Sequence, residues 1–189
     1  TMDSMVESLG IGKADNVAIP AVASRRSVLA QMAGRRIVKL VEEDVRMAQI
    51  LTKQAFENAI RVNGAIGGST NAVIHLTAIA GRAGVPVSLE RLNELSDTTP
   101  VLVNLKPVGN GYMEDFFAAG GVGALLRELK DLLHLDAMTV TGETLGQRLD
   151  YDRGDWIDRS IIAERNKPLE PQGGLVALFG NLAPQGAIL

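Results

Sequence analysis

Ser69, Thr70 and Asn71 follow two glycines and open an apolar run, and these three small polar residues are the chain's best candidates for chemistry. The segment from Ala65 to Leu76 reads AIGGSTNAVIHL, and Val62 to Gly81 contains no Asp, Glu, Lys or Arg. Gly67 and Gly68 allow the backbone to come close to a neighbour or a ligand. Ser, Thr and Asn all favour the helix N-cap. The first N–H groups of a helix starting here have no partner within it, so they suit an anion such as a carboxylate. The residues also describe a capped core helix whose glycines serve only tight packing, and both readings stay open. The chemistry on offer is hydrogen-bond donation from backbone and hydroxyl groups, not acid–base catalysis.

The other candidates have plainer readings. His75, on the same apolar run, reads as a core histidine bonded to a carbonyl, with no acidic partner nearby in sequence for proton transfer. Glu114 and Asp115 are adjacent, so a helix would point them in different directions, and they suit the charge preference of a helix start. Glu42, Glu43 and Asp44 read as a solvated helix end. Asp150, Asp152, Asp155 and Asp158 imitate a calcium loop without its glycine-and-glutamate frame, so no metal is expected there. Lys39, Arg82 and Lys106 are available to an acidic substrate, but nothing singles one out. Arg25, Arg26, Arg35 and Arg36 read as solvated helix faces, with contact to a subunit or another domain as the alternative. With no cysteine and only His75 and His134, no disulfide, thiolate-held cluster or zinc site is expected on this chain.

Composition sets the frame in which these residues must be held. A chain of 189 residues, 46% hydrophobic and 22% charged, can bury a real core as one domain. A net charge of −3 offers no broad attraction to nucleic acid or an anionic membrane. Aromatic residues make up 4%, too few for a base-stacking platform. The opening residues carry no secretory leader pattern. The uncharged stretch 62–81 has nearly the length of a membrane span. Its Asn63, Gly67, Gly68, Ser69, Thr70, Asn71 and His75 argue instead for a helix buried on all sides.

Periodicity places the elements. Met2, Met5, Val6 and Leu9 have helical spacing and stop at Gly10. A helical pattern runs from Ser24 to Val41, with a break expected at Gly34. Thr52 caps the next helix, Gly84 and Pro86 stop the apolar one, and Ser88 caps a short helix. Met113–Ala119 reads as one or two helical turns. After Gly120 and Gly121, Val122, Leu125, Leu126, Leu129, Leu132 and Leu133 mark an amphipathic helix with a buried face. Thr141 is expected to cap a helix carrying Leu145 and Leu149. Short strands are expected at 101–103, 138–140, 161–162 and 175–179. Asp150 to Arg159 reads as an exposed connector.

Four blocks carry a resemblance to a known family. They are FENAIRVNGAIGGSTNAVIHLTAIAGRAGV (56–85), TPVLVNLKPVGNGYMEDFFAAGGVGALLREL (99–129), MTVTGETLGQRL (138–149) and GGLVALFGNLAPQGAIL (173–189). In type, order and spacing they resemble the dihydroxy-acid dehydratase / 6-phosphogluconate dehydratase family, which includes aldonate dehydratases. The resemblance implies an α/β fold: a helix-rich layered domain with short strands, the central part of a larger two-domain enzyme. It puts residues 1–172 in the α/β dehydratase domain and 173–189 at the start of a connection into a C-terminal barrel-like domain.

It also implies dehydration of a vicinal-diol acid to a 2-oxo acid. A metal or cluster would act on the leaving hydroxyl, and an ionised serine would take the proton beside the carboxylate. The cofactors implied are an iron–sulfur cluster, 2Fe–2S, and Mg, held by residues outside this segment. No catalytic, cofactor or metal residue can be carried onto this chain, which alone is expected to be inactive. Ser69, Thr70 and Asn71 are the expected substrate-binding residues. The MEDFFAAGG stretch at 113–121 resembles the sugar-acid branch, which favours a pentonate-like aldonate over a branched-chain dihydroxy acid. A cytoplasmic homodimer or homotetramer that binds neither nucleic acid nor membrane is implied. The rival reading is a scaffold module that kept the fold and lost the cofactor.

Overall fold

Thr52 starts the helix around which the chain is organised, because its hydroxyl accepts the Ala55 N–H at 3.3 Å and so caps an otherwise open end. That helix, α4 (Lys53–Ala65), buries Phe56, Ala59, Ile60 and Val62. The computed structural model describes residues 2–151 and 156–189. Helix α1 (Met2–Ser8) packs on α4 through Met5 and Leu9 and ends at Gly10, whose φ of +80° a side chain would resist. Helix α6 (Leu89–Asp97), capped by the Ser88 hydroxyl on the Arg91 N–H, packs on another part of α4.

Helix α2 (Arg25–Glu42) runs unbroken through Gly34. The expected break fails because one glycine costs a helix only about 1 kcal/mol, and its neighbours on both sides are good helix formers. The four-residue α3 (Met47–Ile50) leads to α4. Helix α5 (Thr70–Arg82) buries Ala72, Val73, Leu76 and Ala80, but Ile74 is 65% exposed. It is therefore half-buried, not buried all round. Its uncharged sequence reports what the outer face lacks and not what covers it. Val85 N–H bonds back to Ala80 O and closes the helix before Pro86.

Helix α7 (Met113–Ala118) leads through Gly120 into α8 (Gly121–Glu128). The leucine stripe is buried as expected, with Leu125, Leu126 and Leu129 fully enclosed and Leu133 nearly so. Its helix is shorter than the spacing predicts, since a 3-10 turn at Lys130–Leu132 finishes it. Helix α9 (Leu145–Tyr151) is capped by Thr144 and not Thr141: Gln147 N–H donates to Thr144 Oγ1 at 3.3 Å and Gln147 Oε1 accepts Thr144 N–H at 2.9 Å. Asp152 and Asp155 of the aspartate run lie outside the described residues.

The architecture is helix-rich with short β elements. Strands β1 (Ala177–Leu178) and β2 (Ala187–Ile188) pair antiparallel, and Asn93 of α6 brackets Ala177 with two hydrogen bonds. The other β positions make single bridges, Val101 with Glu170, Val103 with Ile162 and Met138 with Thr144. These runs are too short, and too closely bounded by turns, to build a ladder among the described residues.

Candidate functional site

The Gly67–Gly68 loop is held open by its backbone and not by a side-chain cap. Both glycines have positive φ, +89° and +81°. A Cβ on Gly68 would lie 2.5 Å from Leu175, so the segment at 173–175 can cross the loop only because the position lacks one. Asn63, buried on α4, then fixes Ser69 from both sides. Its Oδ1 accepts the Ser69 N–H at 3.1 Å and its Nδ2 donates to Ser69 O at 3.3 Å. Ser69 is extended, at φ −146° and ψ 126°, and turns the chain into α5 without using its own hydroxyl as a cap.

What this builds is an open helix start. Thr70 and Asn71 are exposed and Ser69 is half-buried. Among the described residues, the Ser69 hydroxyl and the Thr70 and Asn71 side chains have no hydrogen-bond partner. The Thr70 and Asn71 N–H groups also lack one there, and the helix adds the positive end of its dipole. The geometry can donate to an anion. The three residues line none of the cavities described below. His75 is exposed on α5, which corrects its reading as a core histidine.

The remaining sequence candidates are mostly committed to structure. Lys39 pairs with Glu42, and Lys106 sits over the Tyr112 ring at 4.0 Å. Asp115 accepts the Tyr112 N–H at the start of α7. Asp150 pairs with Lys130, and Asp158 accepts both the N–H and hydroxyl of Ser160. Of the four arginines, Arg36 departs from a solvated face: it is half-buried and donates Nε to Val140 O at 2.6 Å.

Sequence reasoning missed a buried carboxyl on α1. Glu7 is 0% exposed. Its Oε1 accepts the Asp15 N–H at 3.0 Å and Arg148 Nη2 at 3.4 Å. Its Oε2 and Arg148 Nη1 are buried without a partner. Burial pushes the carboxyl up to about 7, against the opposing pull of Arg148 and the Asp15 N–H. Glu7 borders a cavity of about 350 Å³ together with Asp15, Arg25, Phe117 and Gly121. The one sequence signal was a glutamate between Met5 and Leu9 in the first helical pattern, and its partner lies 141 residues away.

These residues do not fit the cluster and metal that the family resemblance implies. The sequence has no cysteine, and among the described residues no three His, Asp or Glu side chains converge. Glu7 and Arg148 form one carboxyl beside one cation, which is not a ligand set. No helix among the described residues is long and apolar enough to cross a membrane.

A family profile described as dihydroxy-acid/6-phosphogluconate dehydratase N-terminal matches residues 1–148. An L-arabinonate dehydratase of Rhizobium leguminosarum bv. trifolii is 52% identical over 185 residues, covering 97% of this chain and 32% of that protein. An L-arabonate dehydratase of Azospirillum brasilense is 50% identical over 188 residues, 98% of this chain and 32% of that protein. A dihydroxy-acid dehydratase of Caldanaerobacter subterraneus subsp. tengcongensis is 48% identical over 191 residues, 100% of this chain and 34% of that protein. The chain spans about a third of the length of the curated relatives it matches.

Proposed function

The chain belongs to the dihydroxy-acid/6-phosphogluconate dehydratase family, and from that premise we propose that it is part of a hydro-lyase that converts a sugar acid to a 2-keto-3-deoxy acid. The observation that carries the reading is identity of about half, along nearly the whole chain, to proteins named as aldonate and dihydroxy-acid dehydratases. A pentonate-like aldonate is the favoured substrate, supported by the 52% and 50% identities to L-arabinonate and L-arabonate dehydratases. The alternative is a branched-chain dihydroxy acid, supported by the 48% identity to a dihydroxy-acid dehydratase.

In this proposal the start of α5 binds the substrate carboxylate. Ser69, Thr70 and Asn71 supply unsatisfied donors, and the helix dipole adds charge of the right sign. Held there, the acid presents its adjacent carbon in one orientation, which is the kind of positioning that lowers a barrier through entropy. The proton acceptor, the 2Fe–2S cluster and Mg belong to parts of the parent outside these residues, and residues 173–189 begin the connection toward them. The parent is read as a cytoplasmic homodimer or homotetramer.

The test is a side-by-side assay of the full-length parent on a pentonate and on a branched dihydroxy acid, following 2-oxo acid release. A higher kcat/KM on the pentonate supports the favoured substrate. A higher value on the branched acid moves the chain to the other branch, and no product from either refutes the reading.

A further inference from the structure

Helix α2 turns a largely apolar stripe toward the body of the chain and leaves it uncovered. Arg26, Leu29, Ala33, Ile37 and Leu40 follow one another at spacings of three and four, so they share one face of the helix. All five line a cavity of about 600 Å³ beneath it, and Val6, Ile11 and Met47 are part of the opposite wall. Leu29 is the one buried residue of α2, and Ile37 is 59% exposed, so the cavity is a groove open to solvent. Ala33, in the middle of the stripe, is too small to bridge the gap. Two apolar walls that do not meet forgo the contacts that packing would give them.

The groove carries charge of one sign. Lys13, Arg26 and Arg36 line it, and among the described residues no Asp or Glu does. Arg36 is compensated, since its Nη1 and Nη2 donate to Glu43 at 2.9 and 2.7 Å. Arg26 donates Nε to the Ile19 carbonyl at 3.1 Å and has no carboxylate partner among the described residues. Lys13 is half-buried, and its ammonium has no partner there at all. Asn16 is tied to Lys13 by a 3.3 Å bond from its N–H to the Lys13 carbonyl, and its side chain also has no partner among the described residues. Lys13, Asn16 and Arg26 therefore bring unused donors to the edge of an apolar groove.

We propose that this groove binds an unbranched aliphatic carboxylate of medium chain length, with its chain along the inner stripe of α2 and its head at Lys13, Asn16 and Arg26. The lining residues of α2 run from Arg26 to Leu40, about 21 Å along the helix axis, so the space suits one extended chain more than a compact ring. A chain laid there takes both apolar walls out of water, worth about three- to fourfold in affinity for each CH₂ buried. The carboxylate supplies the acceptor that Lys13 and Arg26 lack. A small inorganic anion would leave the apolar walls wet, and a neutral chain would leave the cations unpaired. Ser69, Thr70 and Asn71 do not line the groove, so the proposal does not rest on the substrate reading above.

Calorimetric titration of the full-length parent with decanoate should show saturable binding with a dissociation constant at or below about 0.1 mM. From hexanoate to decanoate the affinity should rise about threefold or more per CH₂. Decanol and decyltrimethylammonium, with the same chain, should bind about tenfold or more weakly. Lys13→Glu should weaken decanoate binding about tenfold or more, and Lys13→Arg should retain it. Ala33→Trp, which fills the groove from an exposed position, should abolish binding. Val41→Trp adds the same bulk to a residue that is 78% exposed and outside the groove, and should leave binding unchanged. Circular dichroism of each variant should match wild type. Bound decanoate should also slow hydrogen exchange of the α2 amides, because it fastens a helix that has one buried residue. No saturable binding below about 1 mM overturns the proposal. So does equal affinity for the three head groups, no dependence on chain length, binding that survives both Lys13→Glu and Ala33→Trp, or binding that leaves exchange in α2 unchanged.

Discussion

Glu57 Oε2 and His134 Nε2 lie 2.8 Å apart although 77 residues separate them in sequence. The contact ties the turn after α8 to the central helix α4. Asn58 completes the tie by accepting the His134 N–H at 2.8 Å and donating to its carbonyl at 3.0 Å. On its other oxygen Glu57 accepts from Arg91 Nε at 3.0 Å. Burial works against the charged carboxylate, but the hydrogen bonds from Arg91 and His134 outweigh it and hold Glu57 below the usual carboxylate range.

Glu57→Gln should therefore cost about 1–2 kcal/mol at neutral pH, a figure kept small because Arg91 and His134 are partly exposed. With the folded value depressed, the stabilisation is present above the unfolded value of 4.5 and is lost as pH falls through the folded one. Urea midpoints of wild type and variant should converge in acid. A gap that stays constant with pH would contradict the ion pair.

Glu7 has the opposite sign. Its carboxyl titrates near 4.5 when unfolded and about 7 when folded, so the folded chain holds the proton more tightly. Stability from this group is greatest below 4.5 and falls by roughly 3 kcal/mol as pH rises through 7. Glu7→Gln should remove that fall between about pH 5 and pH 8. The same pH dependence in wild type and variant would show that Glu7 does not titrate as described.

Gly68→Ala should destabilise by roughly 1–3 kcal/mol, because the backbone is left-handed there and Leu175 occupies the space. Gly34→Ala, in a helix with open space around it, should stabilise by about 0.5–1 kcal/mol. Chemical denaturation of both variants checks the contrast, and equal effects would mean the loop does not hold this shape.

Leu129→Ala should cost about 2–5 kcal/mol, since the side chain is fully enclosed beside Leu125 and Leu126. An unchanged denaturation midpoint would remove Leu129 from the core.

Local signals were legible in the sequence and distant ones were not. Thr52 and Ser88 cap as expected because a cap is a contact with a residue three positions on. The leucine stripe at 125–133 is buried because its spacing states its own face. Gly34 misled, since a single glycine weakens a helix without ending it. The exposure of Ile74 and His75 on α5 depends on which elements lie beyond that face, and the sequence of α5 does not contain it. The same holds for Glu7 with Arg148 and for Glu57 with His134, whose partners are set by packing alone. At the candidate site the loop, the helix start and the role of small residues were readable. The grip of Asn63 on Ser69 was not, although Asn63 stands only six positions away.

Kinetics of Thr70→Val in the full-length parent, read beside its unfolding midpoint, test the central claim most directly. Thr70 is exposed and its side chain has no hydrogen-bond partner among the described residues, so stability should change by less than about 0.5 kcal/mol. Loss of a donor to a bound carboxylate should lower kcat/KM on a pentonate about tenfold or more. That pairing of lost turnover with unchanged stability is the result the account predicts. A variant that releases 2-oxo acid as fast as wild type, or one whose only defect is a lower unfolding midpoint, would contradict it.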